Sequence, residues 1–160
     1  MSLHIRPATA ADAQLILGFI RDLAIYEKAE HEVKTDVAGI RASLFAENST
    51  AHGLICEYQG QAIGYAVYFF NYSTWLGKHG LYLEDLYIDP NQRGIGAGKA
   101  LLRHLAQLAL SNGCGRFEWS VLDWNTPAIE FYQSVGARAQ EEWTLYRLTG
   151  QALLDFAQGD

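Results

Sequence analysis

The chain has 160 residues, 49% of them hydrophobic, and its formal net charge is −6 at pH 7. This length fits one domain, residues 1–160, with a substantial core, and no apolar run approaches the roughly 20 residues of a membrane span. The acidic balance argues against general nucleic-acid binding, which needs a basic surface, and mildly favours a cationic small molecule as the partner.

The cysteines and the N-terminus bear on the compartment. The first ten residues lack a basic segment followed by an apolar run, which predicts no secretory signal. Cys56 and Cys114 match no metal-binding or redox spacing, so we expect buried, reduced thiols and a cytoplasmic protein. The histidines form no ligand spacing either, and we predict no metal: they are His4, His31, His52, His79 and His104.

The first half of the chain predicts one strand, two helices and a hairpin. Thr9 followed by Asp12 resembles a capping box, and Gln59-Gly60 is typical of a two-residue hairpin turn. The predicted elements are a strand at Leu3–Arg6, a helix to about Glu27, a short helix from Thr35, and strands at about Gly53–Tyr58 and Ala62–Tyr72.

The second half alternates strands and helices, which predicts a parallel crossover. The predicted elements are a strand over Leu81–Ile88, a helix ending at Asn112-Gly113, a strand at Arg116–Leu122, a helix capped by Asn125, a last strand at Trp143–Leu148 and an amphipathic tail. Antiparallel strands together with one crossover imply an α/β protein with αβα layers.

The stretch Leu81–Ala100 combines an acidic strand with a glycine-rich loop. Regular alternation would place Leu81, Leu83, Asp85 and Tyr87 on one face and Tyr82, Glu84, Leu86 and Ile88 on the other. Both faces are largely apolar, and a buried strand rarely carries two carboxylates unless they have a function. Asp85 therefore points away from Glu84 unless a β-bulge re-aims it.

The loop RGIGAGKA predicts an anion site at the start of a helix. A Walker A motif would need a glycine at Arg93 and Ser or Thr at Ala100, and a dinucleotide fingerprint would need a glycine at Lys99. The pattern that fits is Arg-x-x-Gly-x-Gly, formed by Arg93, Gly96 and Gly98.

This pattern resembles the pyrophosphate loop of the GNAT superfamily of acyl-CoA-dependent N-acetyltransferases. The resemblance extends over nearly the whole chain through IRPATAADA, Leu23-Ala24-x-Tyr26-Glu27, YLEDLYI, RGIGAG, VLDWN and FYxxxGA. These motifs are similar to the diamine (spermidine/spermine) acetyltransferase family, and most closely to its thialysine N-acetyltransferase branch. The resemblance implies a GNAT fold: a mixed, mostly antiparallel sheet with a splayed parallel pair and about four helices.

The resemblance also implies acetyl-CoA as co-substrate and a set of residues that bind it. The backbone of Leu86, Tyr87 and Ile88 would hold the pantetheine and the thioester carbonyl. The pyrophosphate would lie on Arg93, Gly94, Ile95, Gly96, Ala97, Gly98 and Lys99. A second coenzyme segment would be Asn125, Thr126, Pro127 and Ala128.

Two residues are the expected catalytic groups. Glu84 is the candidate base that removes a proton from the ammonium, directly or through a water. Tyr132 fits a core aromatic on helical spacing alone, whereas the resemblance assigns it as the acid that protonates the departing thiolate.

A cationic amine needs carboxylates and aromatic faces around it. The resemblance implies substrate contacts from Tyr26, Glu27, Glu84, Glu118, Trp119, Ser120 and Glu142. Asp85 is a further candidate, which either faces the substrate or only supports the strand. Trp75 is a candidate wall of the substrate site, as is Trp124. Ser73 stands where the spermidine/spermine branch has an aspartate, which favours a shorter amine over a long polyamine.

The resemblance thus implies an enzyme that acetylates a small cationic amine such as thialysine, a lysine-like amine, a diamine or a polyamine, and that forms a homodimer. Neither nucleic acid nor membrane is expected as a partner. Two alternatives stay open: acetylation of a protein amine, and a non-catalytic acetyl-CoA-binding sensor or interaction protein.

Overall fold

A computed structural model describes residues 2–159 of the chain, which fold as two units, one ending at Leu122 and one beginning at Asp123. The first unit holds a five-stranded sheet in which spatial order follows chain order. Its strands are β1 (Leu3–Pro7), β2 (Ala51–Tyr58), β3 (Gln61–Ser73), β4 (Lys78–Ile88) and β5 (Phe117–Trp119), and its helices are α1 (Ala13–Tyr26), α2 (Val37–Leu44) and α3 (Ala97–Ser111).

The sheet is mixed, as the sequence predicts. Strands β1 to β4 pair antiparallel in succession, whereas β4 and β5 pair parallel across the α3 crossover. Between β2 and β3, Gln59 and Gly60 have φ of 54° and 77°, the two positive values of a type I′ turn. The α/β class and the single parallel pair are therefore confirmed.

Helices α1 and α2 cover one face of the sheet and bury its main cluster of apolar side chains. Phe19 of α1 stacks on Tyr65 of β3 with ring centroids 5.6 Å apart, and it contacts Tyr87 of β4 at 6.0 Å. Ile16 and Ile55 are almost fully buried in the same cluster. This packing fixes α1 over the centre of β3 and β4, where the acidic residues lie.

An ion-pair network joins the start of α1 to the edge of the sheet. The Arg6 guanidinium donates to both carboxylate oxygens of Asp12, at 2.8 and 2.9 Å, and to Glu57 at 3.2 Å. Asp12 also accepts from the Thr9 backbone N–H at 2.8 Å, which forms the predicted capping box. The guanidinium bonds hold the pKa of the Asp12 carboxyl below its usual range.

The second unit contains α4 (Thr126–Ser134) and α5 (Gly150–Ala157). The predicted strand over Trp143–Leu148 is wrong: within the described residues this segment is not in a strand, and Trp143, Leu145 and Tyr146 are exposed. The apolar pattern alone cannot create a strand, because a strand also needs a neighbour for its backbone hydrogen bonds.

Strand β5 is shorter than the predicted Arg116–Leu122. Its only ladder among the described residues is with β4, and that ladder covers three residue pairs. Among residues 2–159, no helix is both long enough and apolar enough to cross a bilayer.

We predict that Asp12→Asn lowers the free energy of unfolding by about 2 kcal/mol at pH 7, because Arg6 loses a bidentate ionic partner at a mostly buried position. The pKa of Asp12 is depressed in the folded state, so its contribution is complete above the ordinary aspartate range and is lost as the pH falls through the lower folded value. Urea unfolding should show a smaller difference in the free energy of unfolding between variant and wild type at pH 3 than at pH 7.

The control for this measurement is Glu32→Gln, which removes one partner of an exposed pair with His31 and should change stability by less than about 0.5 kcal/mol. If the loss of unfolding free energy in Asp12→Asn is the same at both pH values, the explanation by the ion pair with Arg6 is wrong.

Candidate active site

The parallel strands β4 and β5 separate halfway along β4. Their register runs from Leu81–Phe117 to Leu83–Trp119 and stops there, although β4 continues to Ile88. Among the described residues, the ladder between β4 and β5 therefore ends before residues 84–88. This separation matches the splayed pair that the sequence resemblance implies.

A β-bulge lies at the point where the strands separate. Val67 of β3 is opposite Asp85 and the next residue, Tyr68, is opposite Leu83, so that Glu84 is an extra residue in β4. The predicted regular alternation of Leu81, Leu83, Asp85 and Tyr87 on one face is therefore wrong. The extra residue reverses the phase of the strand.

The cross-strand pairs identify the face that each half of β4 presents to α1. Val67 packs against the α1–α2 cluster, and Phe69, two residues further along β3, shares its face. Tyr82 is opposite Phe69 and Asp85 is opposite Val67, so both face α1 despite their different parity. The bulge thus places Tyr82, and not Leu83, on the α1 face together with Asp85.

Three carboxylates lie close together on this side of the sheet. Burial raises the pKa of Glu27, which caps the end of α1, and the neighbouring charges of Asp85 and then Glu84 raise it further. Burial also raises the pKa of Asp85. Because the like charges repel one another, this cluster favours a bound cation.

Asp85 is held by a tyrosine that the sequence analysis did not single out. The Tyr65 hydroxyl donates to Asp85 Oδ2 at 2.7 Å, and this bond lowers the pKa of Asp85 against the larger effect of burial. The position of Tyr65 in an apolar strand is typical of a core aromatic. The one feature of the sequence that hints at this role is the hydroxyl group of Tyr65 in an apolar strand, because a buried hydroxyl needs a hydrogen-bond partner.

The glycine loop has the geometry of an anion site. Gly94 and Gly96 have φ of 88° and 78°, which side chains disfavour, and no atom lies within 4 Å of the position of a Cβ on either. Gly96 is the N-cap of the 15-residue helix α3, and no side-chain hydrogen bond caps the helix there. The first backbone N–H groups of α3 can therefore bind an oxyanion such as a diphosphate.

The start of the loop is fixed by close packing and by a cap. A Cβ on Gly64 would meet the carbonyl oxygen of Tyr87 and lie 3.1 Å from the Ile88 Cα, so only glycine lets β3 approach the end of β4 so closely. Asp89 then accepts from the Asn91 N–H at 2.9 Å and begins a short 3₁₀ turn. These contacts place the glycine loop directly after the splayed half of β4.

Arg93 connects the loop to the acidic side of the sheet. Its Cζ lies 5.8 Å from the centroid of the Tyr26 ring, a cation–π distance. Tyr26 is the last residue of α1 and precedes Glu27. The predicted coenzyme loop and two predicted substrate residues are thus neighbours.

Strand β5 and its continuation bring three more predicted residues to the splay. Ser120 shares a 2.7 Å hydrogen bond with the Tyr82 hydroxyl, and Glu118 lies 3.9 Å from the Arg116 Nε. Trp119 packs on Phe117 with centroids 4.8 Å apart. By contrast, Trp75 lies in the β3–β4 hairpin and is 82% exposed.

Ser73 serves the hairpin itself. It is 3% exposed, and its hydroxyl accepts from the Leu76 N–H at 3.2 Å. An aspartate could accept the same bond, so the serine keeps the turn and removes a negative charge.

The second unit carries the remaining predicted residues. Asn125 caps α4 by accepting from the Ala128 N–H at 3.4 Å, with Thr126 and Pro127 in the first turn. Tyr132 lies on the same helix, half-buried, with its ring centroid 5.8 Å from that of Phe131. Trp124 and Glu142 are exposed.

Among the described residues, no group of three or more His, Cys, Asp or Glu side chains is arranged to hold a metal ion.

Comparison with known proteins agrees with this geometry. The profile of the Acetyltransferase (GNAT) family matches residues 18–137. The thialysine N-epsilon-acetyltransferase of Sus scrofa is 40% identical over 98% of each chain. The human spermidine/spermine N(1)-acetyltransferase-like protein 1 is 34% identical over 96% of this chain and 24% of its own length.

Among solved structures, an integron cassette protein from V. cholerae has a TM-score of 0.84 and 27% identity, covering 99% of each chain. The family profile covers three quarters of the sequence, and the Sus scrofa relative matches it from end to end. The chain therefore belongs to the GNAT acetyltransferase family and is an enzyme that transfers an acetyl group to an amine.

Proposed function

We propose that this enzyme moves the acetyl group of acetyl-CoA to a primary amine of a small cationic molecule. The main observation that supports this proposal is the cluster of Glu27, Glu84 and Asp85 beside the end of β4 that separates from β5. Three carboxylates at one place attract an ammonium group, and the similarity to thialysine N-epsilon-acetyltransferases supports an amine of that size. Thialysine, a lysine-like amine or a diamine are the favoured substrates, ahead of long polyamines.

Acetyl-CoA supplies the acetyl thioester, and the chain supplies a cradle that fits its diphosphate. The residues of this cradle are Arg93, Gly94, Ile95, Gly96, Ala97, Gly98 and Lys99. The open space around Gly94 and Gly96 and the uncapped start of α3 support the fit. The backbone of Leu86–Ile88 holds the thioester. The end of the ladder between β4 and β5 at Leu83 supports this assignment, because β5 does not pair with these three residues. Asn125, Thr126, Pro127 and Ala128 contact the rest of the coenzyme.

Proton movement is assigned to two side chains. Glu84 takes a proton from the ammonium, directly or through a water, so that the nitrogen lone pair can attack the acetyl carbon. The C–N bond forms and the C–S bond breaks, and the backbone N–H groups of Leu86–Ile88 stabilise the charge on the carbonyl oxygen. Tyr132 gives its proton to the leaving sulfur, and the second proton lost from the nitrogen restores the Tyr132 hydroxyl. The net proton released is the one that Glu84 takes and passes to solvent.

The acceptor is bound on the acidic side of the splay. Glu27 and Asp85 hold the cation, and Tyr26 offers it an aromatic face. Further contacts come from Trp75, Glu118, Trp119, Ser120 and Glu142. Ser73, buried and uncharged in the hairpin, supplies no anionic contact to a long polyamine.

We further propose that both units form one catalytic domain, which the span of the family profile over residues 18–137 supports. We also propose that the enzyme works in the cytoplasm as a homodimer. Two free thiols, Cys56 and Cys114, support a reducing compartment.

The direct test is acetyl-CoA consumption with thialysine, lysine, ornithine, putrescine, spermidine, spermine and a lysine-containing peptide. We expect turnover of the short amines to exceed that of spermine and of the peptide. Preference for the peptide would favour a protein-amine acetyltransferase. Binding of acetyl-CoA without turnover of any amine would favour a non-catalytic sensor.

Glu84→Gln should lower kcat/KM for the amine by about 100-fold or more, because the glutamine cannot accept the proton. The KM for acetyl-CoA should stay within about twofold, since the proposed coenzyme contacts of β4 come from backbone atoms. The matched control is Glu47→Gln, an exposed glutamate outside the site, which should behave as wild type. An active Glu84→Gln enzyme would exclude the assignment.

Tyr132→Phe should lower kcat on the order of 100-fold with little change in the affinity for acetyl-CoA, because only the proton for the leaving sulfur is removed. Tyr146→Phe, a change of the same kind at an exposed position of the same unit, is the control. Unchanged kcat in Tyr132→Phe, measured by steady-state kinetics, would return this residue to a packing role.

A further inference from the structure

Tyr65 combines complete burial with a hydrogen bond to a carboxylate. The side chain is 0% exposed, and its hydroxyl lies 2.7 Å from Asp85 Oδ2. Burial, followed by the nearby Asp85 charge, raises the pKa of the phenol, so Tyr65 keeps its proton and acts only as a donor. A short bond from a neutral hydroxyl to a carboxylate is among the stronger kinds of protein hydrogen bond.

The ring of Tyr65 cannot easily turn away from Asp85. Phe19 stacks on it with an interplanar angle of 12°, and Tyr87 is its direct partner across β3 and β4. Asp85 lies two residues before Tyr87 and shares its face, because β4 is regular between these two residues. The hydroxyl is therefore held at a fixed point relative to the carboxylate.

The surroundings of Asp85 make this bond important. Asp85 lines a cavity of about 580 Å³ whose other walls are apolar or neutral: they include Ile16 and Ile20 of α1, Ile40 of α2 and Val67 of β3. The titratable groups near it are Tyr65 from β3, Glu27 from α1 and Glu84 from β4, while α2 and the segment after it line the cavity with neutral residues. Burial favours the protonated form of such a carboxyl.

We propose that Tyr65 is a positioning residue, whose hydroxyl keeps Asp85 ionised and oriented toward the ammonium group of the amine. This inference rests on the proposed function, in which Asp85 binds that ammonium. Tyr65 itself contacts neither the amine nor the coenzyme in this assignment. Its effect reaches the reaction only through the carboxylate.

Loss of the hydroxyl should move the pH dependence of amine binding in a defined direction. In Tyr65→Phe the hydrogen bond that lowers the pKa of Asp85 is removed, while burial continues to raise it. Asp85 then stays protonated up to a higher pH. The acidic limb of kcat/KM for the amine should shift upward by about one pH unit or more.

The experiment compares pH profiles of wild type, Tyr65→Phe and Tyr68→Phe. Tyr68 lies on the same strand but on the opposite face, where it packs with His52 and Phe70, so its variant removes a hydroxyl without touching Asp85. We expect the shift in Tyr65→Phe alone. The effect should lie in the KM for the amine, with kcat at alkaline pH and the KM for acetyl-CoA within about threefold of wild type.

A second measurement does not depend on turnover. A ¹³C-carboxyl NMR titration, with the Asp85 signal assigned by its absence in Asp85→Asn, should give a higher pKa for Asp85 in Tyr65→Phe than in wild type or Tyr68→Phe. In the Asp85→Asn background, Tyr65→Phe should no longer shift the acidic limb. An unchanged Asp85 titration, or a shift that persists without Asp85, would overturn the proposal.

The two hypotheses fail in different ways. If wild type acetylates none of the amines, the proposed function is wrong, and the NMR titration still decides whether Tyr65 controls the ionisation of Asp85. If wild type is active and the pH profile of Tyr65→Phe matches it, only the role of Tyr65 is wrong.

Discussion

One extra residue in β4 determines which side chains meet at the site. Because Glu84 is an extra residue in β4 relative to β3, the alternation of side chains between the two faces of the strand shifts by one residue between Leu83 and Asp85. A regular strand would place Leu83 on the same face as Asp85. With the bulge, Asp85 faces α1 together with Tyr82, while Leu83 lies on the other face, and Asp85 accepts the Tyr65 hydroxyl. The set of side chains beside the acidic residues therefore depends on this single backbone irregularity.

The site is positioned by rigid elements on three sides. Phe19 fixes α1 on Tyr65 and Tyr87, and so fixes Glu27 at the end of that helix. Gly64 lets β3 pack closely on the last residues of β4, from which the glycine loop departs. The glycine loop and the acidic cluster therefore share β4 as their common support, which would suit the proposed reaction between two bound molecules.

Local signals in the sequence predict much of this architecture. Caps, turns and apolar periodicity locate the helices and the hairpin, because these features depend on residues near one another in the chain. The phase change at Glu84 depends on the pairing with β3, so regular alternation wrongly places Leu83 and Asp85 on one face. The charged residue on an otherwise apolar face is the one local sign of this change. The bond between Tyr65 and Asp85 joins residues twenty positions apart, and the unformed strand at Trp143–Leu148 depends on a neighbour that its own sequence cannot specify.

The separation of β4 from β5 also bears on how this sheet avoids associating with other chains. Backbone groups that leave a ladder form an edge, and an edge invites a foreign strand to add to it. Here such an edge arises where β4 extends past its ladder with β5, and it covers residues 84–88. It begins at the bulge, where the carboxylate of Glu84 is exposed. A bulge and a charge are two of the devices by which natural sheets make an edge a poor template. Glu84, the proposed base, is thus also placed where a bulge and a charge disfavour the addition of a foreign strand.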